Sequence, residues 1–136
     1  MKVTFFKSVC ILMFSLVVFV SCNPNDINNL LITRDSYVGT WSVSDQEVPI
    51  TKNNYTANVT LDPSNSSQII INNFHQFGSG YNVSGVVSGK NLTIGTQQVA
   101  GTTVYGDGVL NNGKLTITYF TDDGADINKY VAVYTK

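Results

Sequence analysis

The chain has 136 residues, of which 43% are apolar and only 12% charged, with a net charge of −1. That length predicts one domain, and a faintly acidic balance without basic clusters excludes an electrostatic footprint for nucleic acid. A single histidine and two cysteines leave little material for metal or redox chemistry.

The first element is a leader. Lys2 and Lys7 precede the apolar run Val9 to Val20, and Ser21-Cys22 follows at once. This is the layout of a secretory signal peptide over residues 1–21. The run falls well short of the roughly 20 apolar residues that a membrane-spanning helix needs. Phe19-Val20-Ser21-Cys22 resembles a bacterial lipobox, which implies that Cys22 receives lipid and becomes the new N-terminus. Ordinary signal-peptidase cleavage is the alternative. Each buried methylene of an acyl chain contributes about 0.8 kcal/mol, so a multiply acylated Cys22 would tether the protein to a membrane. The expected location is the cell envelope, with the outer membrane as the expected face. Removing residues 1–21 leaves six basic against nine acidic residues, a net of −3, and leaves Cys22 without a disulfide partner.

Residues 22–36 begin with the polar, Asn-rich stretch Asn23 to Asn29, which reads as a flexible tether. Within the same span, Leu30-Leu31-Ile32 is a short strand or one helical turn that covers an end of the sheet. From Tyr37 the pattern has period two, and residues 37–136 form the predicted domain. Gly39-Thr40-Trp41-Ser42-Val43 opens it, with Trp41 and Val43 on one face. The Trp41 ring is a natural plug for one end of a small barrel. Tyr55, Ala57, Val59 and Leu61 alternate inward against Thr56, Asn58 and Thr60 outward. Asp62-Pro63-Ser64-Asn65 is a turn, Gln68 to Phe74 a strand, and Phe77 to Gly80 a break before Tyr81 to Val87.

The next two units match each other. Gly85 to Ile94 and Gly108 to Ile117 both read as glycine, two apolar residues, a turn containing Gly-Lys, then Leu-Thr-Ile. Each is a strand, a tight turn and a return strand, which predicts a meander. Gln98 to Leu110 reads as one long strand interrupted by Gly101, Gly106 and Gly108, where a barrel would bend. Lys114 to Thr121, the turn Asp122 to Asp126, and a last strand near Asn128 to Thr135 complete the set. The fold class is therefore all-β: an antiparallel up-and-down meander of about eight strands closing into a small barrel.

Gly39-x-Trp41, Asn73-Phe74, the Gly106-x-Gly108 strand and Leu115-Thr116-Ile117-Thr118-Tyr119 together carry a resemblance. With the lipobox, the pattern over about residues 37–136 resembles the small lipocalin-like, or calycin-like, lipoproteins of Gram-negative envelopes. The resemblance implies a non-catalytic, membrane-anchored barrel that holds a small apolar or carbohydrate ligand at its mouth. Barrels of about eight strands have room for one such ligand.

Seven tyrosines supply aromatic surface, and Tyr55, Tyr81, Tyr105 and Tyr119 are the ligand-binding candidates among them. Tyrosine is also an ordinary strand residue. His75 reads as a packed or turn residue rather than a catalyst. Asp45 and Glu47 share one face and read as solvated. Asp107, between Gly106 and Gly108, faces either solvent or the interior. No nucleophile–base set or metal-ligand spacing stands out, so no enzyme, cofactor or metal is expected. Asp122 to Asp126 holds clustered oxygens, but its spacing is not that of a calcium loop, and a hairpin turn is the simpler account. The expected partners are the membrane and either a small ligand or an envelope protein, with the chain otherwise a monomer. The alternative function is a protein-interaction module: an accessory subunit of an envelope complex or an enzyme inhibitor.

Overall fold

Period-two alternation makes two-faced strands, and closing them on themselves buries one face of every strand while removing both sheet edges. The computed structural model describes residues 32–48 and 52–136. Its eight strands are β1 (Gly39–Glu47), β2 (Lys52–Leu61), β3 (Gln68–Asn72), β4 (Asn82–Ser88), β5 (Asn91–Val99), β6 (Thr102–Asn111), β7 (Lys114–Asp122) and β8 (Ile127–Thr135). Each pairs antiparallel with the next, and β8 returns to β1 with Val43 opposite Tyr134. The expected all-β meander is a closed barrel.

The buried inward residues include Val43, Ala57, Val59, Ile69, Ile71, Leu92, Ile94, Leu115 and Ile117. Each fully buried Leu, Ile or Val contributes about 1.5–3 kcal/mol, and the core they form is the main source of stability. Gly85, Gly106 and Gly108 take inward positions where the wall curls. A Cβ on Gly106 would lie 2.4 Å from the Thr118 carbonyl oxygen and 2.6 Å from the Tyr119 Cα. Only a bare backbone lets β6 approach β7 this closely.

The two ends of the barrel differ. At one end Trp41 is the expected plug: its ring is buried, and its Nε1–H donates to the Tyr37 carbonyl at 2.8 Å. Its ring meets Tyr134 edge-on, and Lys136 Nζ sits 4.3 Å from the ring centroid. A 3-10 turn, Arg34–Tyr37, lies across this end. Arg34 Nη1 donates to the carbonyls of Asp62, Asn65 and Gln68, clamping the turn between β2 and β3. Ile32 packs on the core, so the folded unit reaches upstream of Tyr37 to at least Ile32. Leu30, Leu31, Cys22 and the leader lie outside the described residues.

Two readings of the chain are corrected. The stretch Gln98 to Leu110 is not one strand: Ala100 and Gly101, at φ 52° and 81°, form a two-residue turn joining β5 to β6. Both central residues have positive φ, the twist-matched hairpin geometry. Phe74 does not continue β3 either. Asn73 adopts a left-handed conformation (φ 59°), and Phe74–Gln76 form a 3-10 turn over the end opposite Trp41.

That second end is also where the wall is least regular. In β5 a bulge sets Gly95 and Thr96 opposite Tyr105. The β4–β5 ladder stops just before it, after Val86–Thr93, and the Gln97 side chain takes over. Its Oε1 accepts from the Ser84 N–H at 2.9 Å and its Nε2 donates to the Ser84 carbonyl at 2.8 Å.

Candidate polar site at the end opposite Trp41

Trp41, Val43 and Asp45 alternate on β1, so the strand that carries the plug at one end carries a carboxylate inward at the other. Asp45 was expected in solvent, yet it is only 4% exposed. The register of the closed barrel explains the difference. Asp45 lies one inward step beyond Val43, and side chains from β2, β7 and the turn after β3 converge on it.

Those side chains satisfy one oxygen. The Tyr119 hydroxyl donates to Asp45 Oδ2 in a short hydrogen bond. The Tyr55 hydroxyl donates to the same oxygen at 3.2 Å. His75 Nδ1 stands 2.6 Å from the Tyr119 hydroxyl and 3.4 Å from Asp45 Oδ2. Because the Tyr119 proton is given to Asp45, the Tyr119 oxygen accepts from His75, which places a proton on Nδ1. The Tyr55 hydroxyl in turn accepts the His75 backbone N–H at 3.0 Å.

Asp45 Oδ1 has no hydrogen-bond partner among the described residues. Neither has the buried Tyr134 hydroxyl, which faces Tyr55 without a bond of standard geometry. A buried polar atom without a partner costs about 1–3 kcal/mol, and such atoms concentrate where a ligand, ion or water completes the set.

Aromatic rings enclose this polar centre. Tyr130 stacks on Tyr119 with centroids 5.2 Å apart, and Phe74 meets Tyr119 edge-on at 4.6 Å. The His75 ring lies edge-on to Tyr130 at 4.5 Å, to Phe77 at 5.0 Å and to Tyr119 at 5.6 Å. The turn that carries it there is strained: Asn73, His75 and Gln76 all have positive φ. Residues held in such regions cost about 1–3 kcal/mol each and persist where surrounding contacts over-determine them.

The electrostatics follow from burial beside a carboxylate. Desolvation, then the charge of Asp45, pushes the Tyr55 and Tyr119 phenols far above their usual range. Burial does the same to Tyr134. Tyr130 is raised by burial and by Glu47, its neighbour at the rim. These phenols stay protonated at neutral pH and act as hydrogen-bond donors, not as bases or phenolate nucleophiles. The cluster can therefore orient and bind. The His75–Asp45 pair could polarise a proton, but the hydrogen-bonded set contains no serine, threonine or cysteine for His75 to activate.

Of the four candidate tyrosines, Tyr55 and Tyr119 meet in this cluster. Tyr81 is exposed in the loop before β4. Tyr105 points outward and stacks on Phe120, 5.2 Å apart, beside a shallow depression of about 400 Å³ that includes Gly95 and Asp107. Asp107, opposite Thr118 on β7, faces solvent from the outer side of the wall. Sequence reasoning missed Asp45, Tyr130 and the placement of His75. The inward parity of Trp41, Val43 and Asp45 was a usable signal, whereas His75 arrives through a turn that no periodicity announces. The Asp122–Asp126 loop behaves as a turn. Asp123 Oδ1 accepts the Ala125 and Asp126 N–H groups, which holds its carboxyl below the usual range, and Asp122 Oδ1 accepts that of Gly124. No metal-holding group of His, Cys, Asp or Glu occurs among the described residues.

No protein-family model matches the chain, and no curated protein is significantly similar to it.

Proposed function

We propose that this protein is a non-catalytic binding lipoprotein, anchored in the cell envelope through Cys22, whose barrel receives a small ligand at the end opposite Trp41. One observation carries the reading: a buried carboxylate with one oxygen satisfied threefold and the other unpartnered, ringed by Tyr55, Tyr119 and Tyr130. Stability alone gives no reason to keep an incomplete buried polar set. The protonated phenols favour binding over chemistry, and the likeness to lipocalin-like lipoproteins supports the same reading.

Native mass spectrometry of the full chain, purified from its own membranes, tests it. A small-molecule adduct is expected, and it should disappear in Asp45→Asn. An adduct-free spectrum under gentle release would count against the reading. Incorporation of labelled palmitate, abolished by Cys22→Ala, tests the anchor separately.

A second reading has its own observation. The stacked Tyr105–Phe120 pair and the exposed Val86 and Val109 give the outer wall apolar surface that a protein partner could cover. In that case Tyr105→Ser should abolish co-purification of the partner while Asp45→Asn leaves it intact.

A further inference from the structure

The His75 imidazole occupies a position unlike that of a core residue. It enters from a turn outside the barrel rather than from a strand. It is 22% exposed, lies edge-on to Tyr130, Phe77 and Tyr119, and directs Nδ1 to the Tyr119 hydroxyl and to Asp45 Oδ2. A nitrogen-bearing ring enclosed by aromatic side chains above a buried carboxylate is in the place a ligand would take.

The surroundings select the ligand's charge. Electron-rich ring faces attract cations, most strongly where water is excluded, and a buried carboxylate needs a positive or donating partner. Here Asp45 forms the floor, its Oδ2 reached by His75 and its Oδ1 unpartnered, and Tyr119, Tyr130 and Phe77 are the rings against which the imidazole lies. Glu47 adds a second carboxylate at the rim, beside Tyr130. A fatty acid or phosphate would meet two carboxylates, and a neutral sugar would offer them hydroxyl donors but no opposite charge.

We infer that the site is a cage for a small organic cation, a primary or quaternary ammonium group, and that His75 is a built-in occupant which such a ligand displaces. This rests on the end opposite Trp41 being a ligand site and specifies what it takes. The left-handed backbone at Asn73, His75 and Gln76 gives the displaced state a source of free energy, because leaving the cage lets these residues relax.

Removal of the His75 ring is the critical test. In His75→Gly the ring is gone, and glycine accepts the φ of 52° found there, so the barrel should remain folded. The full chain, its His75→Gly variant and a His75→Gly/Asp45→Asn double variant are titrated with tetramethylammonium and with butylamine. Tyrosine fluorescence and calorimetry are the readouts, with glucose and decanoate as neutral and anionic probes. The expected result is ammonium binding at least tenfold tighter in His75→Gly than in the native chain, and lost in the double variant. Should the double variant unfold, His75→Gly/Tyr130→Leu replaces it and should weaken binding at least fivefold. Unchanged or weaker ammonium binding in His75→Gly overturns the competition. Saturable binding of glucose or decanoate, lost on the Asp45 substitution and without any ammonium response, overturns the cation assignment but leaves the ligand site standing. Silence toward all four probes in His75→Gly overturns both.

Discussion

The Tyr119 phenol joins three functions in one side chain: it donates to Asp45, accepts from His75 and stacks on Tyr130. Tyr119→Phe keeps the ring and removes the donor, so a buried carboxylate loses its shortest contact. The expected loss is about 1–3 kcal/mol of stability, read as a lower midpoint in urea with an unchanged slope. A midpoint equal to that of the native chain would mean that water replaces the phenol and that the cluster is wetter than its burial implies. Gly106 tests packing rather than polarity. Gly106→Ala brings a methyl against the backbone of Thr118 and Tyr119, which cannot retreat without breaking the β6–β7 ladder. A loss of about 2–3 kcal/mol follows from overpacking of this kind. A near-neutral result would show that the wall has slack at that bend.

Between strands, the turns decide how local chemistry becomes topology. Asn112-Gly113 and Ala100-Gly101 are both two-residue turns with positive φ at each position, but only the first has the residues that favour it. Alanine in the left-handed region costs about 1–2 kcal/mol relative to a residue that tolerates it. Ala100→Asn should therefore stabilise the barrel, by about 0.5–1 kcal/mol, visible as a higher melting temperature. A drop would mean that the Ala100 side chain makes contacts that matter more than its backbone. The seam between β4 and β5 has a similar logic. Gln97 holds Ser84 where the bulge has pulled the strands apart, so a side chain preserves closure where the main chain does not.

As a whole, the molecule stores its response to alkali in buried phenols. Tyr37, whose hydroxyl donates to the Gly89 carbonyl, is pushed by burial up to about 12. Tyr55, Tyr119 and Tyr134 are raised further by burial and by the neighbouring Asp45 charge. In the unfolded chain tyrosines titrate near 10. Their folded values lie above that, so the stabilisation is fully present below about pH 10. It is lost as pH rises further, because the unfolded state then binds fewer protons than the folded one. The urea midpoint should be insensitive to tyrosine ionisation up to about pH 9.5 and fall steeply from about pH 10. Tyrosinate absorbance should appear together with unfolding rather than before it. A midpoint still level at pH 11 would show that the cluster ionises without opening.

Strand number and meander order are legible in the chain alone, because alternation and tight turns are local signals. Val59 and Ile117 could be assigned to the inside from their own neighbours in the chain. The turn at Ala100-Gly101 is not legible because alanine does not advertise a positive φ, and Asp45, on one face with Glu47, reads as a solvated strand end. What buried it was closure. The pairing of β1 with β8 and the arrival of Tyr119 and His75, 74 and 30 residues away along the chain, depend on barrel register and on one left-handed turn. No short window of sequence encodes those long-range distances. The chain's own pattern marks the apolar inward faces, and only the closed barrel settles that Asp45 joins them and which side chains meet around it.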